Sequence, residues 1–289
     1  MTLTQLHSII KQAGGGLFAL DYASELMKKI ENVVAHKTPT NYLTQFSKSR
    51  DAGDLRGRLL EINLVNYFYL KNVPLRYEAK QQGVSGDVDL LWSTNGVDVY
   101  IEVKLLGQDL VSKKAEDIQL SVYEVSSSRI ADDTCDVMRL QHTIIDKATL
   151  KKFEYPSAKN NINLIAIDVS ELQLGTADAA DCVLATLGSK QVQIHFGEAC
   201  ARNNVLGLFE LESKEEQREW ADHVLAKLAG NPHPREYIHG VIFMFRSPKE
   251  RAALSYGLKA CIVWNEKLID KVLMKKINTD FHKIVPFGW

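Results

Sequence analysis

One short stretch holds residues whose types and spacing suit metal-assisted chemistry: Gly86-Asp87-Val88-Asp89-Leu90-Leu91, then Val97-Asp98-Val99-Tyr100-Ile101-Glu102-Val103-Lys104. Side chains of an extended chain alternate between two faces. Val97, Val99, Ile101 and Val103 therefore form an apolar row, while Asp98, Tyr100, Glu102 and Lys104 share the other face. Asp87 and Asp89 likewise point one way, opposite Val88, Leu90 and Trp92. Between the two segments, Thr94-Asn95-Gly96 is a hairpin signal, because Asn and Gly tolerate the positive φ that tight hairpin turns need. The hairpin sets the strands side by side, and its register decides which aspartate approaches Glu102. Two neighbouring carboxylates repel unless a proton or a cation intervenes. Hard oxygen donors of this kind suit Mg²⁺ or Mn²⁺, and a lysine beside them holds a water or steadies charge on a phosphate. Metal-assisted phosphodiester hydrolysis needs such a set. The bland account is an exposed ion pair worth about 0 to 1 kcal/mol. Valine or isoleucine at four alternating positions argues instead for a central strand.

The elements that must position these residues follow from periodicity. Helices are expected over Leu3–Gln12 and Phe18–His36, separated by Gly14-Gly15-Gly16, with a connection over Thr38–Asp51. The glycine triplet lacks the Gly-Lys-Ser/Thr of a phosphate-binding loop and reads as a turn. Apolar spacing at Leu55, Leu59, Ile62, Val65 and Tyr69 predicts a helix over Asp54–Asn72, closed by Pro74. Strands follow over Leu75–Lys80, Asp87–Ser93 and Val97–Leu105, then a helix over Val137–Phe153 and a strand over Asn163–Val169. Later come a helix over Lys214–Leu228, strands over Ile238–Phe245 and Ala260–Trp264, and an amphipathic tail helix beyond Asn265. This order predicts an α/β fold, a mixed sheet with helices on its faces. The expected organisation is a helical segment over 1–50, a main domain over 51–265 and a helical tail over 266–289.

With these elements in place, Val88-Asp89 followed thirteen residues later by Glu102-Val103-Lys104 resembles the PD-(D/E)xK signature of the restriction-endonuclease-like nuclease superfamily. The resemblance covers about residues 54–170, and Val88 stands where the family name has proline. It implies an α-β-β-β-α-β core with extra N-terminal helices, Asp89 and Glu102 as Mg²⁺ ligands, and Lys104 supporting the attacking water. Asp87 is a further metal-ligand candidate, and Glu61, in the preceding helix, falls where members carry an accessory acid. The implied activity is Mg²⁺-dependent cleavage of DNA, in a restriction or anti-phage setting, with Mn²⁺ able to substitute. A homodimer would supply two sites for two strands, with the N-terminal helices and Lys267–Lys276 as contact candidates. The competing expectation is a non-catalytic nucleic-acid-binding or assembly module that keeps the fold.

Other residues carry weaker signals. Gln119 and Gln141 follow the E-x-K and are expected on solvated helix faces. Lys147, Lys151 and Lys152 read equally as cations at a helix C-terminus or as contacts to a phosphate backbone. His195 and His239 read as half-buried strand residues, and Trp92, Phe243, Phe245 and Trp264 as core. No histidine or cysteine spacing suits zinc, and no nucleophile elbow is present. Thirty-five basic against thirty-six acidic residues, net charge −1, exclude a generic polycationic nucleic-acid coat, so any positive surface must be local. Four scattered cysteines read as buried thiols of a reducing, cytoplasmic setting. No run approaches the ~20 apolar residues of a membrane span.

Overall fold

The computed structural model describes residues 3–14, 20–35, 48, 52–106, 137–155, 158–170, 179–196, 207–210, 228, 231–246 and 258–288. Helices α1 (Leu3–Gly14), α2 (Leu20–Ala35) and α3 (Ala52–Leu70) precede strands β1 (Arg76–Ala79), β2 (Val88–Thr94) and β3 (Val97–Leu105). Helix α4 (137–147) leads to β4 (Asn161–Asp168), helices α5 (Ala179–Leu187) and α6 (Ser189–Phe196), strands β5 (Gly240–Arg246) and β6 (Leu258–Trp264), and helix α7 (Lys271–Ile284). The six strands form one mixed sheet in sequential order. The β1–β2, β2–β3 and β5–β6 pairs are antiparallel, whereas β3–β4 and β4–β5 are parallel. A parallel pair cannot be closed by a tight turn, so each of those connections crosses over a face of the sheet. Among the described residues of 54–170, the elements run helix, three strands, helix, strand.

The β2–β3 hairpin forms where Asn-Gly placed it. Asn95 and Gly96 take φ of 50° and 76°, and Thr94 pairs with Val97. Both faces of the sheet are covered. Val97, Val99, Ile101 and Val103 pack into a core with Leu6, Leu26, Ile30, α3 and Phe281 of α7. Trp92 sits edge-on to Phe68 at 5.6 Å and tilted against Phe281 at 6.3 Å, tying β2 to helices at both ends of the chain. Tyr100 faces a second core built by Leu140 and Ile144 of α4, Val183 and Leu184 of α5, and Ile165, Ile167 and Phe243. A strand enclosed on both sides reads as a continuous apolar run, as β4 does from Leu164 to Ile167. Trp92, Phe243, Phe245 and Trp264 are all core, as expected, and the thiols of Cys182 and Cys261 are buried.

Several expectations shift. Helix α4 stops at residue 147 rather than Phe153, because the following backbone is bound elsewhere: the Tyr237 hydroxyl donates to the Ala148 carbonyl, and the Gly86 N–H to that of Lys151. His195 belongs to α6, not to a strand, and His239 precedes β5 and is buried. The Lys214–Leu228 helix (apart from Leu228, which is helical), Gln119, Cys135, Cys200 and most of the Thr38–Asp51 connection lie outside the described residues. Among the described residues, no helix is long and apolar enough to cross a membrane.

His239 has a consequence for stability. Its Nδ1 accepts from the Asn163 N–H at 3.0 Å, and burial holds its pKa down at about 4. The folded-state value lies below the ordinary 6.5, so the folded state binds fewer protons than the unfolded one. The stabilisation is complete above pH 6.5 and is lost as pH falls through about 4. Wild-type protein is expected to lose about 2 kcal/mol from this group between about pH 7 and pH 5. His239→Asn, whose Oδ1 can take over the acceptor role, should flatten that limb in urea melts; an unchanged acid limb would refute the assignment.

Candidate active site

The site lies where β2 and β3 part. Their ladder ends at Leu90–Ile101, while β2 stays with β1 as far as Ala79–Val88 and β3 stays with β4 as far as Leu105–Asp168. The next step of the same register sets Asp89 opposite Glu102. Here the backbone ladder is replaced by a side chain: Asp89 Oδ2 accepts from the Val103 N–H at 2.7 Å. A buried N–H that loses its cross-strand carbonyl needs another acceptor, and Asp89 provides it. Of the two aspartates, Asp89 is thus the one brought to Glu102. Asp87 lies just before β2 and is exposed.

Glu102 is fully buried, and its Oε1 accepts from Lys147 Nζ and Lys152 Nζ, both at 2.6 Å. Its Oε2 is buried without a hydrogen-bond partner. Glu61 of α3 approaches from the opposite face of the sheet, and the Tyr77 hydroxyl donates to its Oε2 at 3.4 Å. The three acids feel one another. Burial first, then the charge of Asp89, pushes the Glu61 carboxyl up to about 8, against Arg58 and the Tyr77 hydrogen bond. Asp89 is raised to about 6 by burial and then by Glu102, with the Val103 N–H, Lys152 and Lys147 pulling the other way. Burial, reinforced by like charges at close range, produces this pattern, and a bound cation would relieve it.

Lys104 emerges exposed at the end of β3, two residues beyond Glu102, and makes no hydrogen bond or ion pair among the described residues. The lysines on Glu102 come instead from the end of α4 and the turn after it. The only sequence signal for them is the basic cluster Lys147, Lys151, Lys152; nothing local links it to a glutamate some 45 residues earlier. Gly86 is a second residue the motif did not single out for a role. A Cβ there would meet the Lys151 carbonyl oxygen at 2.9 Å, so only glycine lets the start of β2 lie against the lysine-bearing turn. Gln141 is not on a solvated face: it is fully buried in α4, and its Nε2 donates to the Ala185 carbonyl at 3.0 Å, joining α4 to α5.

The donor set fits a hard divalent cation in its chemistry. A buried carboxylate oxygen without a donor carries a desolvation cost of about 1 to 3 kcal/mol or more, which a metal–oxygen bond would remove. Glu102 Oε2 is that atom, and Asp89 is the neighbouring oxygen donor. Among the described residues no group of three His, Cys, Asp or Glu side chains is arranged to hold a metal ion. Mg²⁺ does not need one, since it commonly binds through one or two carboxylates and keeps several waters. No known protein family, curated protein or solved structure matches the chain.

Proposed function

We propose that this chain is a divalent-metal-dependent nuclease with a restriction-endonuclease-like core, acting on the phosphodiester backbone of DNA. One observation carries the reading: the buried, partnerless Oε2 of Glu102 lies at the parting of two strands, beside Asp89, whose carboxyl Glu102 perturbs. Asp89 and Glu102 would hold Mg²⁺, or Mn²⁺ in its place, with Glu61 as the accessory acid. When bound, the ion supplies an activated water and offsets charge building on the phosphate.

The protein's own groups do the rest. The Asp89 carboxylate is held in place by the Val103 N–H, which donates to its Oδ2. Lys104, at the exposed end of β3, would donate from Nζ to a phosphate oxygen or to the attacking water. Burial of Glu102 under α4 keeps bulk water from screening its charge. A dimer would place two such sites on a duplex.

The test is cleavage of plasmid, single-stranded DNA and structured RNA by the full chain with Mg²⁺, with Mn²⁺ and with EDTA. Nicking that needs a divalent ion, is abolished by EDTA and falls about 10²-fold or more in Lys104→Ala is expected. Absence of cleavage on all three substrates with either metal would favour a non-catalytic nucleic-acid-binding or assembly module.

A further inference from the structure

We propose that Lys147 and Lys152 form the phosphate-gripping pair of this site, binding the nucleic-acid backbone where it passes over Glu102. The proposal rests on the nuclease reading and adds to it the residues that hold substrate. Both ammonium groups lie 2.6 Å from one oxygen, Glu102 Oε1. One carboxylate charge is thus shared between two cations, and the pair carries a positive charge that Glu102 does not cancel. The lysine side chains are 27% and 31% exposed while Glu102 is at 0%, so a phosphate arriving from solvent meets the lysines and not the acid.

The pair is also presented rigidly. Lys147 ends α4, and Lys152 closes a turn in which the Thr149 N–H donates to the Lys147 carbonyl and the Lys152 and Phe153 N–H groups donate to that of Thr149. Phe153 is fully buried beneath the turn. The Tyr237 hydroxyl and the Gly86 N–H fasten the turn's outer carbonyls, those of Ala148 and Lys151. Two cations held at fixed separation lose little freedom on binding an anion, unlike lysines on a free surface. A site with three acids would otherwise repel a polyanion, and the chain as a whole, at net charge −1, supplies no general attraction. Neutralising Glu102 takes one cation; the second also answers the charge of Asp89, and both keep part of their side chains open to an arriving phosphate.

The experiment is fluorescence anisotropy of labelled duplex and single-stranded DNA with the full chain, in EDTA and in Ca²⁺, across a salt series. Lys147→Ala and Lys152→Ala are each expected to weaken binding about 5- to 10-fold and to reduce the slope of log Kd against log salt by about one. Lys147→Arg and Lys152→Arg should restore both, a rescue that mere packing of the lysine stems would not require in the salt slope. If an alanine variant loses its cooperative melt, Lys→Met at the same position keeps the stem and removes the charge. Wild-type protein that binds DNA, with variants of unchanged affinity and slope, overturns the lysine assignment and leaves the nuclease reading standing. Wild-type protein that neither binds nor cleaves any of the substrates overturns both.

Discussion

Asp89→Asn is expected to slow Mg²⁺-dependent cleavage by about 10³-fold while leaving the fold intact. The substitution keeps a carbonyl oxygen to accept from the Val103 N–H, so the local bridge between the parting strands survives. It removes the negative charge that would hold the cation next to Glu102. Loss of several kcal/mol of metal-borne charge stabilisation corresponds to about three decades in rate. Asn at this position also removes the Asp89 charge that adds to burial in raising Glu61, so the variant should be at least as stable as wild type without metal. Single-turnover cleavage and Mn²⁺ titration by electron paramagnetic resonance give the two readouts. A variant that cleaves within a few-fold of wild type and binds Mn²⁺ equally would remove Asp89 from the site.

The second large effect is a gain in stability. The Glu61 carboxyl sits at about 8, above its ordinary 4.5, through burial and the neighbouring Asp89 charge. The folded state therefore holds this proton more tightly than the unfolded state does. The resulting stabilisation is complete below pH 4.5 and disappears as pH rises through about 8. Metal-free wild-type protein should lose about 3 kcal/mol from this group between about pH 5 and pH 8. Glu61→Gln cannot ionise and should abolish that slope, melting well above wild type at about pH 8 in EDTA. Mg²⁺ should narrow the difference by stabilising wild type, since a ligand that binds only the folded state raises its stability. Identical melting of the two proteins in EDTA across this range would show that Glu61 does not belong to the acid cluster. Stability stored against function in this way is common at sites that must gather like charges.

The two lysines on Glu102 explain how such a cluster survives without metal. A buried carboxylate facing two other acids would be costly alone, and Lys147 and Lys152 offset it from partly solvated positions. Glu102 keeps one oxygen engaged by the two lysines and the other buried without a hydrogen-bond partner.

Much of this arrangement was legible residue by residue. Alternation over Val97–Lys104 set which side chains share a face, and Asn95-Gly96 set the turn, because both follow from local backbone geometry that neighbouring residues cannot override. The helix carrying Glu61 was legible from its apolar residues between Leu55 and Tyr69 and the closing Pro74, and β4 from the apolar stretch Leu164–Ile167. Other features required the packed chain. The polar-looking face of β3 is covered by α4, which buries Glu102 and Gln141; periodicity over a few residues does not reveal what lies above a sheet. Helix α4 ends early because Tyr237 and Gly86, both distant in sequence, bind the carbonyls after it. The choice of Asp89 over Asp87, and of Lys147 and Lys152 over Lys104 as partners of Glu102, depended on where two strands part and which turn closes over the gap. Those are long-range events, settled by tertiary packing, for which a short motif carries the residue types but not the pairing.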